Sequence, residues 1–373
     1  MSRAREDRPA LDGRDIASRL RPGEEVRETV PPHDGRNIDP DVGTLLGEGA
    51  EQRVRTVDAP PHGSYPAAAD TEGTYYGVPT LKEPVWKWYV PAYFYVGGVA
   101  GASAAAGAAA QLFDRRGMEG LWRPARLVAA GGAALSAALL IADLGRPARF
   151  VNMLRVFRPS SPMNMGTWIL TAFGACATAA AAPFLPRRVR DVAAIGAGAV
   201  GVPLTSYTGV LLVGTAVPLW QGARRSLPIL FSASGSAAAA SFFALLPGRD
   251  RGATAMHRVG TVSKITELLM TVALEMEVAR SPRVHIPLRT GPSGALWRAA
   301  QGFTAASLVL SLFGRRLVSG VLGNAGSLAL RFALLAAGRR SARDPRAAFE
   351  QQRSPELPKQ ISDPWSIHSE AHS

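Results

Sequence analysis

The sequence predicts an all-α integral membrane bundle of eight transmembrane helices with a disordered polar N-terminal extension. Three observations predict it. Between Trp88 and Gly338 the chain holds eight apolar stretches of roughly 20 residues, each long enough to cross a hydrocarbon core as α-helix. Short Arg-rich loops separate the stretches. Residues 1–80, by contrast, are rich in Arg, Asp, Glu, Pro and Gly and show almost no periodic apolar pattern. The mean hydropathy of +0.05 averages these two unlike regions.

Taken in order, residues 1–80 bury too little apolar surface to offset the entropy of ordering, and are expected to be disordered. Met1–Leu20 contains no apolar run, so no signal peptide is expected and the first span itself would drive insertion. A membrane domain is expected over 81–338. Its first span, 88–113, opens on Trp86, Trp88, Tyr89 and Tyr93, an aromatic belt at the interface. The run Gly97-Gly98-Val99-Ala100-Gly101 gives this span a small face that lets a neighbour approach closely. The second span, 124–143, closes on Asp143. The third, 163–182, follows Pro159 and Pro162, which shape the turn into it. The fourth, 192–213, has a second small-residue run, Gly196-Ala197-Gly198-Ala199-Val200-Gly201. Spans five to eight are 227–246, 254–278, 294–313 and 317–337, and Trp168, Trp220 and Trp297 mark further interfaces. From 339 to 373 the chain turns polar again and reads as a flexible tail.

The net charge of +13 invites a nucleic-acid reading. Its distribution argues otherwise. Arg115, Arg116, Arg187, Arg188, Arg190, Arg249, Arg251, Arg315 and Arg316 sit in the short loops, where they anchor helices at anionic headgroups. No basic helix interleaved with aromatics is present, so membrane lipid is an expected partner and nucleic acid is not.

Ligand chemistry narrows the redox options. An iron–sulfur cluster takes about four thiolates and a structural zinc about four ligands. The chain has one cysteine, Cys176, which reads as packing inside the third span. Of six histidines only His257 lies in or near a span, whereas a transmembrane b-type haem takes an axial pair. No haem, iron–sulfur cluster or metal site is therefore expected on this chain. An electron-transfer role needs a diffusible carrier and cofactors on another chain.

Three segments resemble the polysulfide reductase membrane-subunit family (NrfD/PsrC). The first is Glu83-Pro-Val-Trp-Lys-Trp88 running into Tyr93-Phe-Tyr-Val-Gly-Gly-Val-Ala-Gly101. The second is Asp143-Leu-Gly-Arg-Pro-Ala-Arg-Phe150, then Asn152-Met-Leu154, Arg158-Pro-Ser-Ser-Pro-Met163 and Gly166-Thr-Trp168. The third is Ser206-Tyr-Thr-Gly209 followed by Pro218-Leu-Trp220. Order, spacing and position relative to the spans agree over residues 75–246; the later spans agree in number and hydropathy. The resemblance implies a haem-free, eight-helix quinone-binding anchor, multi-pass in the cell's inner (cytoplasmic) membrane. It also implies docking to a ferredoxin-like iron–sulfur subunit that wires the anchor to a molybdopterin catalytic subunit. The carrier would be menaquinone or ubiquinone, and the chain a quinone-reactive, non-metal subunit of an oxidoreductase.

Quinone chemistry couples two electrons to two protons, so the protein must hydrogen-bond the ring oxygens and supply titratable groups. Tyr207, inside the fourth span, reads as a donor to a quinone carbonyl or as a hydroxyl bonded to neighbouring backbone. Tyr93 and Trp88 would border the same cavity, with an interfacial belt as the alternative for Tyr93. Asp143 reads as a proton relay or as a clamp bonded through Arg146 or Arg149. In the sixth span His257, Thr261, Lys264, Glu267, Thr271 and Glu275 fall within one arc of roughly 120° at 100° per residue. Polar groups confined to one face of a membrane helix belong inside the bundle. A proton path through His257, Lys264 and Glu267 is one reading. A Lys264–Glu267 ion pair that fixes packing, or a surface amphipathic helix, is the other. An ion or small-solute transporter using the same face is the alternative function, though no inverted repeat or matching pair of interrupted spans is visible.

Overall fold

A computed structural model describes residues 81–352 apart from Lys82 and Arg249, with backbone alone for 349–352. The disorder expected for 1–80 lies outside the described residues. Among those described, all regular structure is helical. The helices are α1 (Tyr89–Phe113), α2 (Glu119–Leu144), α3 (Pro147–Leu154), α4 (Pro162–Ala181), α5 (Arg187–Val213) and α6 (Pro218–Gly222). They continue as α7 (Ser226–Leu245), α8 (Arg251–Val278), α9 (Pro282–Arg289), α10 (Gly291–Leu312), α11 (Arg316–Arg343) and α12 (Pro345–Gln352).

Each of the eight predicted stretches lies on a long helix. Five of these, α1, α2, α5, α7 and α11, are long and apolar enough to cross a membrane. The other three are polar-diluted, α8 by Lys264, Glu267, Glu275 and Glu277, α10 by Arg298, Gln301 and its serines, and α4 by Asn164 and its threonines. The polar tail expected from 339 onward begins instead as helix. Arg340 and Arg343 suit the last turn of α11, where cations meet the negative end of the helix dipole. Arg343 is also forked onto Glu83 at 2.8 and 3.0 Å.

Small residues decide the packing. A Cβ on Gly101 of α1 would lie 2.6 Å from the Gly201 carbonyl oxygen of α5, and one on Gly201 would lie 2.5 Å from that of Gly101. A Cβ on Gly98 would similarly approach the Gly235 Cα of α7 to 3.3 Å. These contacts put α1 and α7 innermost, each with 67% of its apolar window buried, against 17% for α2. Around α1 gather α2, α5 and α7; around α7 gather α8 and α11, with α10 packed on α11.

Helix ends sort the loops. Gly145, in the left-handed region at φ 72°, closes α2 by donating its N–H to Ile141 and turns the chain into α3. At that end lie the segment before α1, α3, α6, α9 and α12, tied by the Trp86–Trp220 stack at 5.4 Å and by Glu83–Arg343. At the opposite end Asp250 caps α8, accepting from Ala253 N–H at 2.9 Å and from Gly120 N–H at 3.0 Å.

Candidate functional site

The candidate residues fall into two groups. The first group lies toward the end that carries α3, α6 and α9. Tyr207, on the last turns of α5, is buried, and its hydroxyl donates to the Pro162 carbonyl at 2.6 Å. Its ring fills the space a side chain on Gly166 would occupy, which is why α4 has glycine there. The phenol thus meets the backbone partner that the sequence left as one of two options. Tyr93 of α1 is buried within electrostatic range of Tyr207, its ring edge-on to Phe94 at 5.0 Å. Among the described residues the Tyr93 hydroxyl makes no hydrogen bond, and its oxygen is not fully enclosed, so an accessible donor stands beside a committed one.

Trp88 sits outside this group. It precedes α1, is 58% exposed, and lays its ring on Tyr89 at 4.4 Å. The inward aromatic is Trp86, stacked on Trp220 and edge-on to Phe94 at 6.5 Å. Trp220 in turn donates to the Leu334 carbonyl at 3.0 Å. Asp143 accepts a hydrogen bond from the Lys87 backbone N–H, and Lys87 and Arg339 supply positive charge nearby. Arg149 donates to the Leu144 carbonyl at 3.1 Å. Asp143 therefore fastens the end of α2 to the segment that positions Trp86 and Trp88.

The second group is buried among α7, α8, α10 and α11. Lys264, Glu267 and Thr271 form the inner face of α8, the first two only 4% and 2% exposed. Lys264 does not bridge to Glu267. Its ammonium donates to Ser319 Oγ at 3.2 Å, while the Glu267 carboxylate accepts from Thr304 Oγ1 at 3.1 Å and from Ser234. Glu275, farther along, accepts from Trp297 Nε1 at 2.6 Å and Gln301 Nε2 at 3.0 Å. His257 is on the outer, exposed turn.

Sequence reasoning missed the partner at the centre of this group. Arg331 of α11 is 1% exposed, with its guanidinium 5.4 Å from the Phe231 ring centroid. It donates to Ser234 Oγ at 2.5 Å, Ser327 Oγ at 2.6 Å and the Ser327 carbonyl at 2.8 Å. Its charge also acts on Glu267 and on Tyr95, whose hydroxyl donates to Asn324 Oδ1 at 2.7 Å. The signal was available: Arg331 is the one charged residue within 317–337, where an ionised group has to find partners.

A cavity leads toward this cluster from the end opposite Tyr207. Gly248, Asp250, His257 and Arg316 line it, as do the apolar side chains of Leu121, Phe243 and Met256, and Lys264 and Ser319. His257 and Lys264 thus share one cavity, with Glu267 a turn beyond on the same helix. Tyr93 and Tyr207 are paired elsewhere. At this end, outside the spans, Asp114 is held below the ordinary carboxylate range by the Gly117 N–H and then by Arg251.

A quinone asks for a flat apolar setting and donors to two carbonyl oxygens. The phenols of Tyr93 and Tyr207 are buried, Phe94 packs edge-on to both Tyr93 and Phe231, and Tyr93 has its donor available. Among the described residues no group of three or more His, Cys, Asp or Glu is arranged to hold a metal. Residues 77–341 match a family model described as polysulphide reductase, NrfD. No curated protein matches the chain at a significant level.

Proposed function

This chain belongs to the polysulphide reductase NrfD family of multi-pass membrane subunits linked to quinone-pool electron transfer, and on that premise we propose a specific role for it. It is an eight-span, haem-free anchor in the cytoplasmic membrane. It passes electrons and protons between menaquinone or ubiquinone and a docked iron–sulfur subunit that serves a molybdopterin enzyme. The observation that carries the reading is the uncommitted Tyr93 phenol, buried beside Tyr207 in an aromatic setting. A bound quinone supplies the two-electron, two-proton chemistry. Tyr93 donates to one ring oxygen; Tyr207 holds the adjoining wall through Pro162 and becomes a second donor when that bond is exchanged. Asp143 steadies the segment before α1 through Lys87 and is a carboxylate at that end of the bundle that can relay a proton. His257, Lys264 and Glu267 serve a second route, along the cavity from the opposite end. The transporter alternative loses ground, because it rests on the α8 face alone and the family match does not favour it.

The test uses the assembled complex. Copurification with a protein bearing cysteine-ligated clusters is expected. Tyr93→Phe is expected to lower quinol-linked turnover about tenfold, the worth of one hydrogen bond of about 1.4 kcal/mol, while partner turnover with an artificial electron acceptor is unchanged. Full quinol-linked turnover in Tyr93→Phe, Tyr207→Phe and Asp143→Asn alike would remove the site assignment.

A further inference from the structure

The helix α3 has no buried residue, although it joins two long helices of the bundle. At 100° per residue Pro147, Phe150, Val151 and Leu154 fall on one side and Arg149 and Asn152 on the other. The apolar side continues into the following loop, where Val156 and Phe157 are 60% and 61% exposed. Arg149, Arg155 and Arg158 are exposed around it, and among the described residues Arg149 commits a single N–H, to the Leu144 carbonyl. An amphipathic helix of this kind is matched to a boundary between hydrocarbon and anionic headgroups.

Its place in the bundle says which boundary. α3 is strung between the last turn of α2 and the first of α4, where the hydrocarbon gives way to water. α2 is the least enclosed of the five apolar spans, 17% buried where the others are 50–67%. This corner is therefore on the lipid-facing perimeter. Eight residues bind a membrane weakly alone, but tethering at both ends removes the entropy of docking. The loop is also held in shape: Asn164 accepts from Arg158 N–H at 2.7 Å and donates to the Met153 and Val156 carbonyls at 2.6 and 2.9 Å.

We propose that α3 and its following loop form a binding site for the headgroup of an anionic phospholipid. The phosphate lies among Arg149, Arg155 and Arg158, and Val151, Val156 and Phe157 enter the acyl region. The charge-assisted fork of arginine suits phosphate oxygens.

Native mass spectrometry of the full chain, purified in mild detergent and given equal phosphatidylglycerol and phosphatidylcholine, reads the preference directly. The wild type is expected to retain phosphatidylglycerol selectively. Arg149→Gln/Arg155→Gln/Arg158→Gln is expected to lower that preference roughly tenfold or more, and the corresponding triple Lys variant to keep most of it. Arg123→Gln, at the opposite end, removes an exposed arginine already paired with Glu119; it is the control and is expected to behave as wild type. A second arm needs no variant: raising the ionic strength is expected to release phosphatidylglycerol from the wild type in preference to phosphatidylcholine. Undiminished preference in the Gln triple, or an equal loss in the control, overturns the site. So does a Gln triple that keeps its lipid but loses an acidic partner protein, which would make this a protein-docking surface. If the Gln triple does not fold, the salt arm decides, and a salt-insensitive preference overturns the proposal.

Discussion

Arg331 is the residue on which the interior of the bundle turns. A guanidinium 1% exposed among helices is tolerable because Ser234 and Ser327 accept its N–H groups and Glu267 offsets its charge. Removing one member of such a cluster leaves the others charged and unmatched, which costs about 3–5 kcal/mol. Arg331→Gln is therefore expected to lower the denaturation midpoint in detergent by that order, and Glu267→Gln by less, since Arg331 keeps its serine acceptors. The double variant is expected to lose markedly less than the sum of the two, because the neutral pair leaves no stranded charge. Additive losses would show that the two side chains do not act as a unit. Half of this cluster was legible in the sequence: the α8 arc named Lys264 and Glu267 from periodicity alone. Their partners were not, because Ser234, Ser319 and Thr304 look like ordinary small residues of membrane helices until the tertiary contacts choose them. The direct Lys264–Glu267 pair fails for the same reason, since each side chain finds a hydroxyl on a neighbouring helix.

At the scale of elements, glycines were the readable signal and polar helices the misleading one. The runs around Gly97–Gly101 and Gly196–Gly201 pointed to close approach, and Gly101 and Gly201 do meet backbone to backbone. Without a hydrophobic drive between helices in lipid, that fit supplies the contact. A methyl on Gly101 would press on a carbonyl that cannot swing aside, so Gly101→Ala is expected to cost about 1–3 kcal/mol of stability. Gly131→Ala on α2, where nothing lies within 4 Å, is expected to be neutral or slightly stabilising. Equal melting temperatures for the two variants would contradict this account of the α1–α5 seam. The helical character of 339–352 was hidden by its polarity. Composition reads a charged segment as tail, whereas Arg343 gains a forked partner in Glu83, 260 residues away. Trp88 misled in the opposite direction: its aromatic type suggested a pocket wall, while Trp86, two residues earlier, is the one turned onto Trp220.

For the whole molecule, one candidate group lies near one end of the bundle and the other at mid-depth, reached by a cavity from the opposite end, and this has a consequence for topology. α1 is 25 residues long, about 37 Å at 1.5 Å per residue, which exceeds a hydrocarbon core of about 30 Å. If all eight long helices cross, the loops alternate strictly. Trp88 and Arg289 then lie on one side and Arg188 and Arg315 on the other. That alternation depends on α4, α8 and α10, the three helices whose composition is diluted by polar side chains. A polar helix crosses when its polar groups face protein, and α8 meets that condition: Lys264, Glu267 and Thr271 are buried while Val262, Leu269 and Met276 are exposed. Single cysteines placed by Trp88→Cys, Arg188→Cys, Arg289→Cys and Arg315→Cys, in a chain whose own thiol is removed by Cys176→Ala, read the arrangement directly. In sealed vesicles of one orientation, a membrane-impermeant maleimide added outside is expected to label one pair and spare the other until the vesicles are opened. Labelling of Arg289→Cys and Arg315→Cys from the same side would mean that α10 lies along the surface. Ser311, Arg316 and Ser319 would then leave the end marked by Gly248 and Asp250, and the second proton route would lose that wall of its cavity.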